Sequence, residues 1–213
     1  MNIKYLAFGV LAVGVPALVL PLSFSTPAAS QQQVVVASSE ITAPVANLYA
    51  ALKKIQAAQG ASFTQKEAIL APVISQAFDL PGILRTSVGY KFESFSAADK
   101  ERLLETFRRF TVARYISSFP ADNSPATFKI SPKTSAASNK GQMVSTMISD
   151  TQINYLMQQT PQGWKISDVL VDGHISQVAI QHGDFRSALG NNDGNVDNLI
   201  ASLNKKIQQF SSN

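Results

Sequence analysis

The chain of 213 residues contains no cysteine, one tryptophan and two histidines. Without cysteine there can be no disulfide, thiol nucleophile, zinc–thiolate site or iron–sulfur cluster, so the fold relies on its core alone. The histidines, His174 and His182, stand eight apart with no His-x-x-x-His spacing, and with scattered Asp they make a poor metal site. A Gly-x-Ser-x-Gly elbow, a Walker loop and a dinucleotide fingerprint are all missing. No catalytic residue, cofactor or metal is therefore expected. Residues 191–197 have the polarity of a calcium loop, but the Gly and closing Glu of an EF-hand fall out of register, which leaves a polar turn. Charge of one sign is scarce too: eighteen Lys and Arg, well dispersed, face fourteen Asp and Glu. That pattern argues against a nucleic-acid partner and suits weak attraction to an anionic membrane surface.

Lys4 is the only charged side chain before Glu40, and Tyr5 to Leu22 is an apolar run. Ala28 and Ser30 then offer small residues at the −3 and −1 positions of a cleavage site before Gln31. This is the layout of a secretory signal peptide. The run is just long enough to span a bilayer, so an uncleaved anchor is the alternative, although Pro16 and Pro21 would break such a helix. The expected organisation is a signal peptide over 1–30, a linker over 31–39 and one domain over 40–213, with the domain outside the cytoplasm. No second apolar run of membrane length follows.

From Glu40 the apolar period is helical, with Ile41, Val45, Leu48, Leu52 and Ile55 at spacings of three and four. Gly60 ends that helix, and Thr64-x-x-Glu67 reads as the capping box of a second, running through Phe78. A short third helix is predicted from Pro81 to Gly89. Ser96 caps a fourth, with Asp99 and Glu101 in its first turn and a stripe of Leu103, Leu104, Phe107, Phe110, Tyr115 and Ile116. After Pro120 the period changes to two, giving strands near 127–133, 142–149, 152–159 and 164–171 joined by short turns. In the last strand Trp164, Ile166, Asp168 and Leu170 share one face, and Asp172-Gly173 turns the chain. A final helix is capped by Asp197. Helices, then an antiparallel meander, then helix describe an α+β domain.

The strands carry Met143, Met147 and Met157, side chains that fill irregular space, and seven Phe between 78 and 128 add bulk. These could fill a core or line a cavity; periodicity does not separate the two. Four segments add a resemblance. Phe78-Asp79-Leu80-Pro81-Gly82-Ile83 leads to Val88-Gly89; Ser96 to Arg102 leads to Phe107, Phe110 and Tyr115. Gly163-Trp164-Lys165-Ile166-Ser167-Asp168 leads to Asp172-Gly173 and Ser176, and Asp197-Asn198-Leu199-Ile200 closes the series. In this order they resemble the MlaC-type periplasmic lipid carriers, also called the toluene-tolerance auxiliary family.

The resemblance implies helices packed on a curved antiparallel sheet of the nuclear-transport-factor-2 type, enclosing an apolar pocket. It implies a non-catalytic periplasmic carrier that moves a phospholipid between inner and outer membranes. Its partners would be the lipid, an inner-membrane ABC transporter complex and an outer-membrane lipoprotein complex. The lipid-binding residues would be Phe78, Leu80, Ile83, Leu84, Phe107, Phe110, Tyr115, Val144, Met147, Tyr155, Met157, Trp164, Ile166 and Val169. Arg108, Arg109 and Arg114 on the fourth helix are candidates for docking, beside a plain solvated role. One departure matters: the family's Tyr-Arg-x-x-Phe segment reads here Gln181-His182-Gly183-Asp184-Phe185. The cation that would grip a phosphate is thus absent at 182, which leaves a hopanoid-type cargo open. Two rival readings remain: an enzyme of the same sheet type, using Asp168 with Asp172, His174 or His182, and a non-catalytic envelope adaptor.

Overall fold

A computed structural model describes residues 34–36, 39–121, 125–137, 141–190 and 195–212. The expected signal segment, its cleavage site and most of the 191–197 turn lie outside these residues. The order of elements is β1 (Val34–Val36), α1 (Ser39–Ala57), α2 (Phe63–Ala77), α3 (Leu80–Val88), a 3-10 segment (Gly89–Ser94) and α4 (Ala97–Ser118), followed by the sheet. There β2 (Phe128–Ala136), β3 (Gln142–Ile148), β4 (Thr151–Thr160), β5 (Gly163–Val171) and β6 (Ile175–Ser176) run in chain order, all antiparallel. Helices α5 (Gln177–Leu189) and α6 (Val196–Ser211) follow. This is the expected α+β meander. Val34–Val36, inside the segment expected as linker, pairs with Lys133–Ser135 as an edge strand, and Ser39 is already helical.

The caps explain where the helices start. At α4, Ser96 Oγ accepts from the Asp99 N–H at 3.1 Å, as expected. At α2 the capping box is Ser62 with Gln65, not Thr64 with Glu67: Ser62 Oγ accepts from the Gln65 N–H, and Gln65 Oε1 accepts from the Ser62 N–H at 2.8 Å. At α6 the cap is Asn195 rather than Asp197. Asp197 instead takes a bond from Arg102 Nη2 at 2.7 Å, tying α6 to α4.

A bulge sets the faces of β5. Leu156 pairs with Asp168 and Met157 with Ile166, so Ser167 is the extra residue, and its Oγ donates to the Leu156 carbonyl at 3.1 Å. The buried set switches from Ile166 to Val169 and Val171. The single face expected through Trp164, Ile166, Asp168 and Leu170 is broken there. At the end of β5, Asp172 and Gly173 both have positive φ, and the His174 N–H closes on the Val171 carbonyl: a type I′ turn, as the Asp-Gly pair indicates.

Helix α4 runs through the core, packed against α2, α3 and α6. Leu103, Phe107 and Phe110 are at most 1% exposed, and Phe107 meets Phe185 edge-on while Phe110 tilts against Phe210. Each such side chain contributes about 1.5–3 kcal/mol by leaving water. The sheet's inner face supplies Val144, Thr146, Ile148, Ile153, Tyr155 and Met157, and α1 covers part of it with Tyr49.

Candidate functional site

Phe78 and Asp79, between α2 and α3, do three things at once. Phe78 bridges in parallel to Ile166, and the Asp79 N–H donates to the Ile166 carbonyl at 2.9 Å, so the start of α3 is fixed to β5. The Asp79 carboxylate then caps α3 by accepting from the Gly82 N–H at 3.1 Å. A Cβ at position 82 would lie 2.1 Å from Asp79 Oδ2, so a larger residue there would displace the capping carboxylate from this position. Helix α3 is thereby held against β5 and α5.

Between α3, α4, α5 and β5 lies a cavity of about 40 Å³. Its apolar wall is Phe78, Leu80, Ile83, Phe107, Tyr115, Val169 and Val178; its polar side is Thr111, Arg114, Asp168, Gln177 and Gln181. Arg114 is the main correction to the sequence reading. It is 6% exposed and cannot be a surface docking residue. Its Nη2 donates to Gln177 Oε1 at 2.6 Å, and Gln177 Nε2 donates to the Ile175 carbonyl at 3.3 Å. Burial lowers its pKa from the usual arginine value, opposed by the nearby Tyr115 and Asp184. Arginine is not deprotonated in proteins, so the guanidinium stays charged. Burial also pushes the Tyr115 hydroxyl well above the usual tyrosine range.

Gln181, standing where the resembled family carries Tyr, accepts from Ser87 Oγ at 3.3 Å. His182 stands outside the cavity wall; its Nδ1 is 3.1 Å from the Ser87 carbonyl oxygen, across the seam between α3 and α5.

Of the residues expected to bind lipid, Phe78, Leu80, Ile83, Phe107, Tyr115 and Val169 converge on this cavity. Leu84, Phe110, Val144, Tyr155, Met157 and Ile166 are buried in the surrounding core and do not line it. Met147 is on the outer face of β3, 36% exposed beside Lys129 and Gln152. The strand alternates, and Val144, Thr146 and Ile148 take the inner positions. Trp164 is half-buried in a separate surface groove with Glu40, Pro44 and Val73, because it precedes the bulge. The sequence signal for Arg114 is its position seven residues past Phe107, on the buried stripe of α4. Thr111, Gln177, Val178 and Gln181 carried none stronger than their helical positions.

Asp168 behaves as a structural carboxylate. It accepts from Ser176 Oγ and from the backbone N–H groups of Val169 and Val178, capping the start of α5. His174 is exposed, with Nδ1 2.7 Å from the Asp172 carbonyl oxygen, and His182 engages Ser87. The structure thus brings neither histidine into a hydrogen bond with Asp168. Among the described residues no cluster of His, Asp and Glu could hold a metal.

These features define a domain of helices over an open antiparallel meander with an apolar, polar-edged cavity between α3, α4, α5 and β5. The chain belongs to the MlaC protein family, which it matches over residues 43–205. No functionally curated protein matches it. A solved structure with the same fold is the phospholipid-binding protein from Ralstonia solanacearum in complex with a phospholipid. The TM-score is 0.65 at 14% identity, over 81% of this chain and 97% of that one.

Proposed function

We propose that this protein is a non-catalytic lipid carrier, exported to the periplasm, that takes lipid tails into the space between α3, α4, α5 and β5. The observation that carries the reading is the apolar wall built by the Phe78–Ile83 segment, Phe107, Tyr115 and Val169 in a chain of the MlaC family. The phospholipid held by the Ralstonia solanacearum protein of the same fold supports it. Each exposed methylene costs ~0.8 kcal/mol, so two acyl chains in water represent on the order of 20 kcal/mol. Free diffusion of such a lipid is negligible, and a carrier needs only to match the bilayer, with no nucleophile and no cofactor. Its donors and acceptors would be an inner-membrane ABC transporter complex and an outer-membrane lipoprotein complex. Arg109, exposed on α4, and Arg108, which pairs with Glu105 at 2.7 Å, remain candidates for those contacts.

A cavity of about 40 Å³ has room for roughly three waters, at the 10–15 Å³ that each needs, and far too little for an acyl chain. Lipid entry therefore requires the wall to part. Native mass spectrometry of protein purified without detergent from the periplasmic fraction tests the whole reading. An adduct of lipid mass, identified by extraction as phospholipid or hopanoid, is the expected result. A start at Gln31 in the same spectrum supports cleavage, and full-length chain in the membrane fraction supports an anchor. Folded protein at its bare mass that takes no lipid from vesicles would move the choice to an adaptor or an enzyme.

Trp164 supplies an internal control. Its groove is distinct from the cavity, so its emission maximum should be the same in loaded and stripped protein. A shift on loading would place the tails along β5 beyond the bulge instead.

A further inference from the structure

We infer that the groove at the C-terminal end of α1, built around Gln56, is a binding site for an extended, acidic peptide segment of another protein. It shares no residue with the cavity between α3, α4, α5 and β5, so the inference goes beyond the carrier reading and stands apart from it. Three observations carry it. Gln56 is 1% exposed and lines a surface groove of about 400 Å³ together with Lys53, Pro125, Ala126 and Phe128. Both polar atoms of its side chain, Nε2 and Oε1, are buried without a hydrogen-bond partner. Lys53, one turn earlier on α1, is exposed, and among the described residues no carboxylate pairs with it; its Nζ lies 5.9 Å from the centre of the Phe128 ring.

A buried polar group without a partner costs stability, and native folds satisfy nearly all of them. The other buried side chains of this domain follow that rule: Tyr49 bonds to Thr146, Gln181 to Ser87 and Asn154 to the Gly173 carbonyl. Among the described residues Gln56 is the one side chain with donor and acceptor both left over. A carboxamide carries the same donor and acceptor as a peptide group, so its complement is a main chain that offers N–H and C=O together. A helix spends these groups internally, which makes the bound segment extended. An anion alone would leave Oε1 unpaired, and a cation alone would leave Nε2 unpaired. Lys53 adds a place for a carboxylate on the segment. Phe128, held by Tyr49 and Phe119 at 4.7 and 5.8 Å between ring centres, adds apolar surface for a neighbouring side chain. The amide is closed to solvent, so entry requires side chains at the groove to move. Lys53 is exposed and has no anion to hold it, so it is the one that turns toward the ligand.

The test titrates the isotope-labelled, exported protein with acetyl-Leu-Asp-Leu-amide and follows the Gln56 side-chain amide resonances by NMR. They should shift and saturate at millimolar peptide. The Asn counterpart, acetyl-Leu-Asn-Leu-amide, should bind about tenfold more weakly, the scale of one charge-assisted hydrogen bond. Lys53→Glu should remove that preference. Gln56→Met, similar in shape and without the unpaired atoms, should lose binding and melt roughly 3 °C above wild type. A structural Gln56 that holds only an internal water predicts the opposite: a cross-peak from its amide protons to that water, no response to peptide, and a lower melting temperature for Gln56→Met. That result overturns the inference. Should Gln56→Met not fold, the wild-type titration decides, because no shift, or an equal response to both peptides, overturns it as well. Lipid loading is read on the same sample by native mass spectrometry. Bare protein that binds the peptide keeps this site and sinks the carrier reading; loaded protein indifferent to the peptide does the reverse.

Discussion

Joining α3 to α5 should abolish lipid uptake. The cavity holds about 40 Å³, so tails enter only if one of its walls moves. Helix α4 is fixed in the core by α2 and α6, and β5 is laddered to β4 and β6. The remaining walls are α3, with nine residues, and α5. Across their seam lie the Ser87–Gln181 bond at 3.3 Å and His182 Nδ1 at 3.1 Å from the Ser87 carbonyl oxygen. Gly89, at φ 76°, follows α3 and leads into a 3-10 segment, so the helix is bounded by backbone other than α-helix on both sides. Two long hydrogen bonds contribute about 1 kcal/mol each, small beside the transfer free energy of a lipid tail.

The absence of cysteine makes the experiment clean. Thr86, next to Ser87 on α3, and His182 on α5 are exposed and do not line the cavity. Thr86→Cys with His182→Cys, bridged by a short reducible bis-thiol reagent, should fail to take lipid from vesicles. Reduction should restore uptake to the level of the unbridged double variant. Undiminished uptake by the bridged protein would mean that the tails enter elsewhere or that a different wall gives way.

Much of this arrangement could be read before the structure. The change of period after Pro120 located all four long strands, because an antiparallel strand with one covered face must alternate. Ser96 and the Asp172-Gly173 turn were legible because each satisfies a local hydrogen-bond geometry that few residues can supply. The errors share a different origin. Ser62/Gln65 and Thr64/Glu67 both fit a capping pattern, and only the packing of α2 chooses between them. The Ser167 bulge moved Val169 to the buried face and left Trp164 in a separate groove, and nothing in an alternating strand marks where an extra residue will be accommodated. Met147 was grouped with Met157 by residue type, whereas strand parity separates them. Arginine is rarely buried, which favours a solvated Arg114, although its place on the stripe of Phe107 points inward. The pocket residues from α3 and α4 were thus visible as apolar positions, while the polar half of the cavity was not.

Raising the pH should unfold the protein between about pH 10 and about pH 12, through tyrosines rather than through acids or histidines. Burial pushes the Tyr49 hydroxyl up to about 12, and it pushes Tyr115 and Tyr155 well above the ordinary value of 10. Tyr49 bonds to Thr146 Oγ1, whose own proton goes to the Ile153 carbonyl at 2.7 Å, so Tyr49 is the donor. Deprotonation would leave a buried phenolate facing an oxygen. A folded pKa above the unfolded one means stability that is complete below pH 10 and is lost as pH rises through the folded value. For Tyr49 the two-unit shift corresponds to about 3 kcal/mol, and Tyr115 and Tyr155 act in the same direction. The urea midpoint should therefore hold up to about pH 10 and fall steeply between about pH 10 and about pH 12. Tyrosinate absorbance from the buried residues should grow in only as structure is lost. Tyr49→Phe, which removes one bond worth about 1 kcal/mol, should be slightly less stable at neutral pH and lose less on going alkaline. If Tyr49, Tyr115 and Tyr155 ionise near the ordinary value while the helical signal persists, the packing of α1 against β3 and β4 is looser than these contacts require.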